Sequence, residues 1–366
     1  MALPPRRRRR ARRPAGPGAR RPRRRGRAGG SEPADRLRAL TGDHGGHLRG
    51  AVPDEGPPGR AGARVPLGTP RPPARGHPAV TATPSPALAV ASPVHVVDGA
   101  PTVVHTLGDP DGAPVLALHG LRGSHHGLAP LASRLAGYRV VVPDLPGFGA
   151  SPAFTDRTHD VDGYARWASA LLADLGPDTV LLGHSFGSIV AAAVCAAAAT
   201  TPRALVLVNP IAEPASDAGG VTGLGTAATA LLHSGAARLG LDGLLRHRLL
   251  ADAATVSMTT TRDPLLRHWI SDEHRAHFGT FATTASLLEC LRAAGSGSVR
   301  PWAPRITVPT LLLAGARDRV APPAGQHALA AAFADARLVL LPRTGHLLHY
   351  EAPAWAAREI RGFVAR

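Results

Sequence analysis

The apolar and polar positions divide the chain into three regimes. Residues 1–90, from "RRRRRARRPAGPGARRPRRRGRAGG" onward, show almost no apolar periodicity and are dense in Pro, Gly and Arg. Such a segment cannot bury enough surface to offset its ordering entropy, so it reads as a disordered leader. From about Pro93 short apolar runs alternate with helical spacing. "VHVV" and "TVVHTL" around "DGAP" predict a hairpin. "PVLALHG" reads as a buried strand, "LAPLASRLAG" as a helix, and "YRVVVPDLPGFGAS" as a strand entering a Pro/Gly loop. "VDGYARWASALLADLG" has an amphipathic helical pattern stopped by Gly176. "TVLLGHS" is the next strand, "FGSIVAAAVCAAAA" the next helix, and "RALVLVNP" another strand.

From about 211 to 300 the alternation stops. "GLLRHRLLAD", "DPLLRHWISDEHRAHF" and "SLLECLRAAG" predict consecutive helices without strands. It then resumes with "VPTLLLAG", a helix after Pro322, "ARLVLLP" and a closing helix from about Pro353. Residues 91–366 therefore predict an α/β domain, a mostly parallel sheet flanked by helices on both faces. The helical interruption at about 211–300 reads as a lid inserted between two strands.

The formal net charge of +16 suggests nucleic acid until it is located. Residues 1–90 hold 20 Arg against five acids, which leaves 22 basic and 21 acidic residues for the body. The body is close to neutral, so no specific nucleic-acid partner is expected. The leader is either an Arg-rich arm for nucleic acid or anionic lipid, or the product of an over-long gene start. It carries no aromatic residues to stack on bases, which argues against specific single-strand binding.

The chain has 366 residues and two cysteines, Cys195 and Cys290, with neither a disulfide framework nor metal-type spacing. No run reaches the roughly 18 apolar residues of a membrane span. No apolar stretch follows the basic N-terminus, so a secretory signal is not expected and the cytoplasm is the expected location. His125 and His126 are adjacent and do not face one way on a regular element, so no metal site is expected there, and no cofactor either.

The chemistry concentrates in "TVLLGHSFGS", Thr179–Ser188. Gly-x-Ser-x-Gly between a strand and a helix is the sequence form of a nucleophile elbow. It would lift Ser185 above the sheet at a helix N-terminus, where the Phe186 N–H and the helix dipole face a developing oxyanion. Such a serine needs a base and an acid to orient it, in the order Ser, acid, His. "ARDRVAP" places Asp318 just past a strand, and "RTGHLLHYEAP" places His346 just past the next. His349 ranks behind His346. Glu213 or Asp217, after "LVLVNP", competes with Asp318 for the acid. In "HGLRG", after the strand "PVLAL", the Leu121 N–H is the second candidate oxyanion donor, and His119 reads as structural, its ring pinned to loop backbone.

Taken in order, "HGLRG", "VVVPDLPGFGAS", "LLGHSFGS", "LLLAGARDRVAP" and "RTGHLLHYEAP" resemble the α/β-hydrolase superfamily. The branch they resemble is the lid-bearing one of esterases, C–C bond hydrolases and cofactor-free perhydrolase-like enzymes. The resemblance runs from about Pro93 to the C-terminus. It implies catalysis by Ser185, Asp318 and His346 on a small-molecule acyl substrate, with no cofactor and no metal. Ser at 185 separates the chain from epoxide hydrolase and dehalogenase relatives, which use Asp there. Asp144, in the structural loop "PDLPGFGAS", receives no catalytic role. Two departures stand out: Arg122 where many relatives carry Pro, and "GHSFGS" where Gly-Gly is more usual.

Two function classes follow. One is a serine hydrolase of an ester, thioester or activated C–C bond that works through an acyl-enzyme. The other is a non-catalytic ligand-binding protein on the same fold, for which an intact Ser–Asp–His order has no use. Arg122, directly after Leu121, either binds an anion on the substrate or braces its own loop.

Overall fold

The computed structural model describes residues 93–197, 200–215, 234–236 and 238–365. The expected leader and Asp217 lie outside the described residues. Eight strands form one sheet: β1 (Val94–Val97), β2 (Ala100–Gly108), β3 (Ala113–Leu118), β4 (Tyr138–Pro143), β5 (Val180–His184), β6 (Ala204–Val208), β7 (Thr310–Gly315) and β8 (Ala336–Leu341). Their spatial order is β1-β2-β4-β3-β5-β6-β7-β8. β1 and β2 pair as a hairpin and β2 joins β4 antiparallel; every pair from β4 through β8 is parallel. The hairpin turns at Asp98 and Gly99, both at positive φ (44° and 82°), the backbone that favours an Asp-Gly pair in a two-residue turn.

Alternation along the strands sends neighbouring side chains to opposite faces. On β5, Leu181 joins one core and Val180 and Leu182 the other; on β7, Leu312 opposes Leu311 and Leu313 in the same way. Both faces are therefore covered, as a parallel sheet requires. One face carries α2 (Val161–Leu175) and α3 (Phe186–Ala197), the other α1 (His125–Ala132) and α10 (Pro353–Val364).

The sequence pattern explains these helices. In α2, Tyr164, Trp167, Ala168, Leu171 and Leu172 are buried at the spacing of one helical face. Asp160 caps its N-terminus by accepting from Gly163 N at 2.8 Å. Gly176 (φ 89°) ends it. Trp167 is fully buried and donates Nε1–H to Thr102 Oγ1 at 3.0 Å, so truncating it would cost about 3–5 kcal/mol. In α3, every residue from Phe186 to Val194 is buried, and only its last turn, Cys195–Ala197, reaches toward the surface. α1 begins at His125, three residues before the expected pattern, with Ser124 extended at its N-cap.

Between β6 and β7 the described residues hold helices only: α4 (Asp242–Leu245), α5 (Arg248–Met258), α6 (Pro264–His277) and α7 (Thr284–Ser296). α8 (Pro323–Ala330) follows β7, and α9 (Leu348–Glu351) follows β8. The chain leaves β3 for β4 on one side and returns to β5 on the other. This change of direction opens a crevice at the carboxyl ends of β3 and β5, the usual place for a site in an open α/β sheet.

Candidate active site

The turn after β5 is tight. Ser185 sits at φ 52°, a strained value for a side-chain-bearing residue. A Cβ at Gly183 would run into the carbonyl of Gly187, and one at Gly187 into the carbonyl of Leu118, so only glycine fits at either side of the serine. Ser185 N–H donates to Val208 O at 3.1 Å, which ties the turn to β6. Ser188, in the place where Gly was expected, is buried; its hydroxyl donates to Ser185 O at 2.5 Å and accepts from Ile211 N at 3.2 Å. The departure is thus a second tie between the elbow and the exit of β6.

The three residues placed at separate strand ends by sequence come together. Ser185 Oγ lies 2.8 Å from His346 Nε2, and His346 Nδ1 lies 2.8 Å from Asp318 Oδ2. A carboxylate only accepts, so in the neutral ring Nδ1 carries the hydrogen and Nε2 is the acceptor for the serine hydroxyl. Asp318 Oδ1 accepts from Val320 N (2.8 Å) and Ala321 N (2.9 Å). Burial opposes the charge of Asp318. His346 first, then the Ala321 N–H and Asn209, outweigh that burial and hold the carboxyl below the usual carboxylate range.

Asn209 was not anticipated. It stands at the end of β6 at φ 46°, donating Nδ2–H to Asp318 Oδ2 (2.7 Å) and to Gly345 O (3.1 Å). Its signal in the sequence was an Asn-Pro pair ending a strand, a position where Asn tolerates positive φ. Glu213, a rival for the acid, is instead paired with Arg300 at 2.8 Å. His349 is buried against His184, ring centroids 3.9 Å apart, and burial pushes both imidazoles down, His184 to about 3.

The loop after β3 closes onto the elbow. A Cβ at Gly120 would come within 3.1 Å of both His184 Nδ1 and Ser185 Cβ. Gly123 N donates to Gly120 O at 3.0 Å, so Leu121 and Arg122 form the middle of a turn, with Arg122 at φ 57°. Proline cannot adopt that φ. His119 is pinned as expected: Nδ1 donates to Gly120 O and Nε2 accepts from Leu145 N, each at 2.9 Å. Arg122 turns inward and is buried. It donates Nε–H to Phe278 O (3.1 Å) and Nη2–H to Leu245 O (2.6 Å), with its guanidinium 4.3 Å from the Phe278 ring centre. Burial, then Arg246, lowers it to about 10, so it remains charged at neutral pH. Asp144 also acts structurally, accepting from His125 N (2.7 Å), His125 Nδ1 (3.0 Å) and Ala150 N (2.9 Å).

Ser185, His346, Leu121, Phe186 and Arg122 line one cavity of about 1320 Å³, which residues of α5, α6 and α7 also line. Phe186 is the first residue of α3, so its N–H belongs to the unpaired first turn of that helix. Among the described residues, two groups set His and carboxylate atoms within 4.8 Å of one another: His105, His125 and Asp144, and His126, Glu273 and His277.

Residues 115–359 match the model of the alpha/beta hydrolase family. The chain belongs to the alpha/beta hydrolase family. Two of its relatives are named as a hydrolase and an esterase. A Variovorax paradoxus protein named for carbamate hydrolysis, RutD, is 28% identical over 262 residues, covering 71% of this chain and 94% of that protein. The pimeloyl-(acyl-carrier protein) methyl ester esterase of Neisseria meningitidis is 28% identical over 249 residues, 67% of this chain and 91% of the esterase. Among solved structures, an esterase from Exiguobacterium antarcticum superposes with a TM-score of 0.62 at 20% identity, covering 75% of this chain and 98% of the esterase. The enol-lactonase from Burkholderia xenovorans LB400 does so at 0.60 and 23%, covering 75% and 100%. These two share the family's fold. Among the described residues no helix is long and apolar enough to cross a membrane.

Proposed function

We propose that this family member is a serine hydrolase that cleaves an ester, or a thioester or activated C–C bond of similar reactivity, through an acyl-enzyme. The observation that carries the reading is the unbroken hydrogen-bonded line from Ser185 Oγ through His346 to Asp318 Oδ2, 2.8 Å at each step, starting from a serine held at φ 52°. Ser185 attacks the acyl carbonyl while His346 Nε2 takes its proton. His346 then returns the proton to the leaving group. Asp318 fixes the ring and stabilises its charged form. The N–H groups of Phe186 and Leu121 receive the oxyanion, a task typically worth about 3–4 kcal/mol per donor. Water then repeats the sequence to release the acid.

Two further observations bear on the substrate. The cavity is large and is lined by Leu288, Leu291, Met258 and Phe278, which suits a bulky apolar group on the acyl or alcohol side. The relatives are named for methyl ester and carbamate substrates, both acyl groups bearing a heteroatom leaving group, which favours an ester over a C–C bond. The helices at 242–296 take the lid role in this reading, excluding water from the acyl-enzyme. We assign Arg122 to bracing that segment, because two of its donor nitrogens are committed to backbone carbonyls there. The division into a leader, 1–90, and a hydrolase body, 91–366, and a cytoplasmic location belong to the same reading.

The test is kcat/KM on aryl esters of graded acyl length, with Ser185→Ala as the control. The reading expects a preference for the longer chains and loss of turnover in the variant. Turnover unaffected by Ser185→Ala would refute it.

A further inference from the structure

Four imidazole rings follow one another in a row, two of the contacts stacked and the middle one tilted. His105 and His125 have ring centroids 3.2 Å apart, His125 and His126 3.9 Å, and His126 and His277 3.7 Å with planes 13° apart. The row crosses from the sheet through α1 to the C-terminal end of α6. At its sheet end the Asp144 carboxylate is already committed. Asp144 accepts from His125 N and Nδ1 and from Ala150 N.

The α6 end is arranged differently. Glu273 and His277 lie four residues apart on one face of α6, Oε2 to Nε2 3.8 Å, and His126 reaches them from the first turn of α1. The three ligand atoms lie within 4.8 Å of one another, and all three residues are half-buried. Glu273 and His277 also line the large cavity. Two stacked imidazoles beside one carboxylate lose much of their hydration and gain little from each other. Metal ligation would repay that loss.

We propose that His126, Glu273 and His277 ligate a divalent transition-metal ion of the zinc class, which ties α6 to α1 at the rim of the cavity. Two imidazole nitrogens and one carboxylate form a donor set suited to such ions, with further positions left for water or a substrate group. Ligand bonds of about 2.0–2.2 Å set donor atoms roughly 3.4 Å apart around a tetrahedral ion, so the Glu273–His277 pair at 3.8 Å must draw in by a few tenths of an ångström and any pair near 4.8 Å by about 1.4 Å. They also require a rotation about χ2 that opens the stacked rings toward a shared ion, and half-exposed side chains have room for it. The site depends on neither the serine mechanism nor the identity of the substrate.

The experiment is equilibrium binding of Zn2+, and of Co2+ as a visible-absorbing probe, to the chelator-treated full chain at pH 7.5, with Tm recorded alongside. Wild type should bind one equivalent that His126→Ala, His277→Ala and Glu273→Gln each weaken by at least about 100-fold, since loss of an outer-shell partner alone typically costs 10–100-fold. Saturating Zn2+ should raise the wild-type Tm, and His126→Ala and His277→Ala should abolish the rise. His105→Ala should leave both readouts unchanged. The partial exposure of His277 and Glu273 lets their variants fold, and circular dichroism checks it. The proposal is overturned if wild type binds no ion, if the His126 and His277 variants retain it, or if His105→Ala removes it.

Discussion

Asn209 Nδ2 lies 2.7 Å from Asp318 Oδ2, the same oxygen that accepts from His346 Nδ1 at 2.8 Å. One carboxylate oxygen thus holds two donors from two different strand ends. Asn209 holds the carboxylate in place and adds, after His346 and the Ala321 N–H, to the contacts that favour its charged form. Asn209→Ala should lower kcat roughly 10–100-fold with little change in KM, taking about 1.5–3 kcal/mol for a hydrogen bond to a charged group. It should also move the acid limb of the pH–rate profile to higher pH, because the carboxylate loses a donor that favours its charge. A purely structural role would lower Tm and leave the limb in place.

Asp318→Asn separates catalysis from stability. It should cost about 10³–10⁴ in kcat, because an amide at that position fails to fix the His346 tautomer or stabilise its charge. The stability effect has a definite sign. The folded-state pKa of Asp318 is depressed, so its stabilisation is fully present above the ordinary Asp value near 3.9 and is lost as pH falls through the folded value. The Tm gap between wild type and Asp318→Asn should be constant from about pH 8 to pH 5 and narrow below about pH 4. A gap that narrows between pH 8 and pH 6 would assign the stabilisation to another group.

Arg122→Ala should destabilise the protein by about 2–4 kcal/mol, seen as a Tm fall of several degrees, because it orphans Leu245 O and Phe278 O and removes a stacked cation. It should lower kcat/KM equally on two esters of the same acyl length, one ending in carboxylate and one in methyl. A loss of 10-fold or more confined to the anionic ester would return Arg122 to substrate recognition.

Removing residues 1–88 should leave Tm and esterase kcat/KM unchanged within error, since their Pro, Gly and Arg composition gives them no apolar face to dock. A Tm drop of several degrees would show that the leader packs on the body.

The legible part of the site lay in linear motifs. Ser185, Asp318 and His346 each stand just past a strand whose apolar run is plain in the sequence, and glycines flank the serine for a steric reason that spacing alone suggests. Asn209 was not legible because its partners lie 109 and 136 residues away and meet it only once β6, β7 and β8 have paired. Arg122 could be read as facing substrate or loop. Its direction is set by carbonyls of α4 and of the residue after α6, which no local pattern connects to "HGLRG". The same holds for His126, whose neighbour His277 comes from a helix 151 residues later in the numbering, while the adjacent His125, its ring against His126, bonds Asp144. The hairpin was readable because Asp-Gly specifies its own turn.

The central claim is that Ser185 is the nucleophile. The most direct measurement is labelling of the full-length chain with a fluorophosphonate, followed by mass spectrometry of the intact protein and of its peptides. The expected result is one adduct per chain, located on Ser185, with loss of esterase activity in proportion to labelling and no adduct in Ser185→Ala. Equal labelling of Ser185→Ala, or an active wild-type enzyme that takes up no label, would contradict the account.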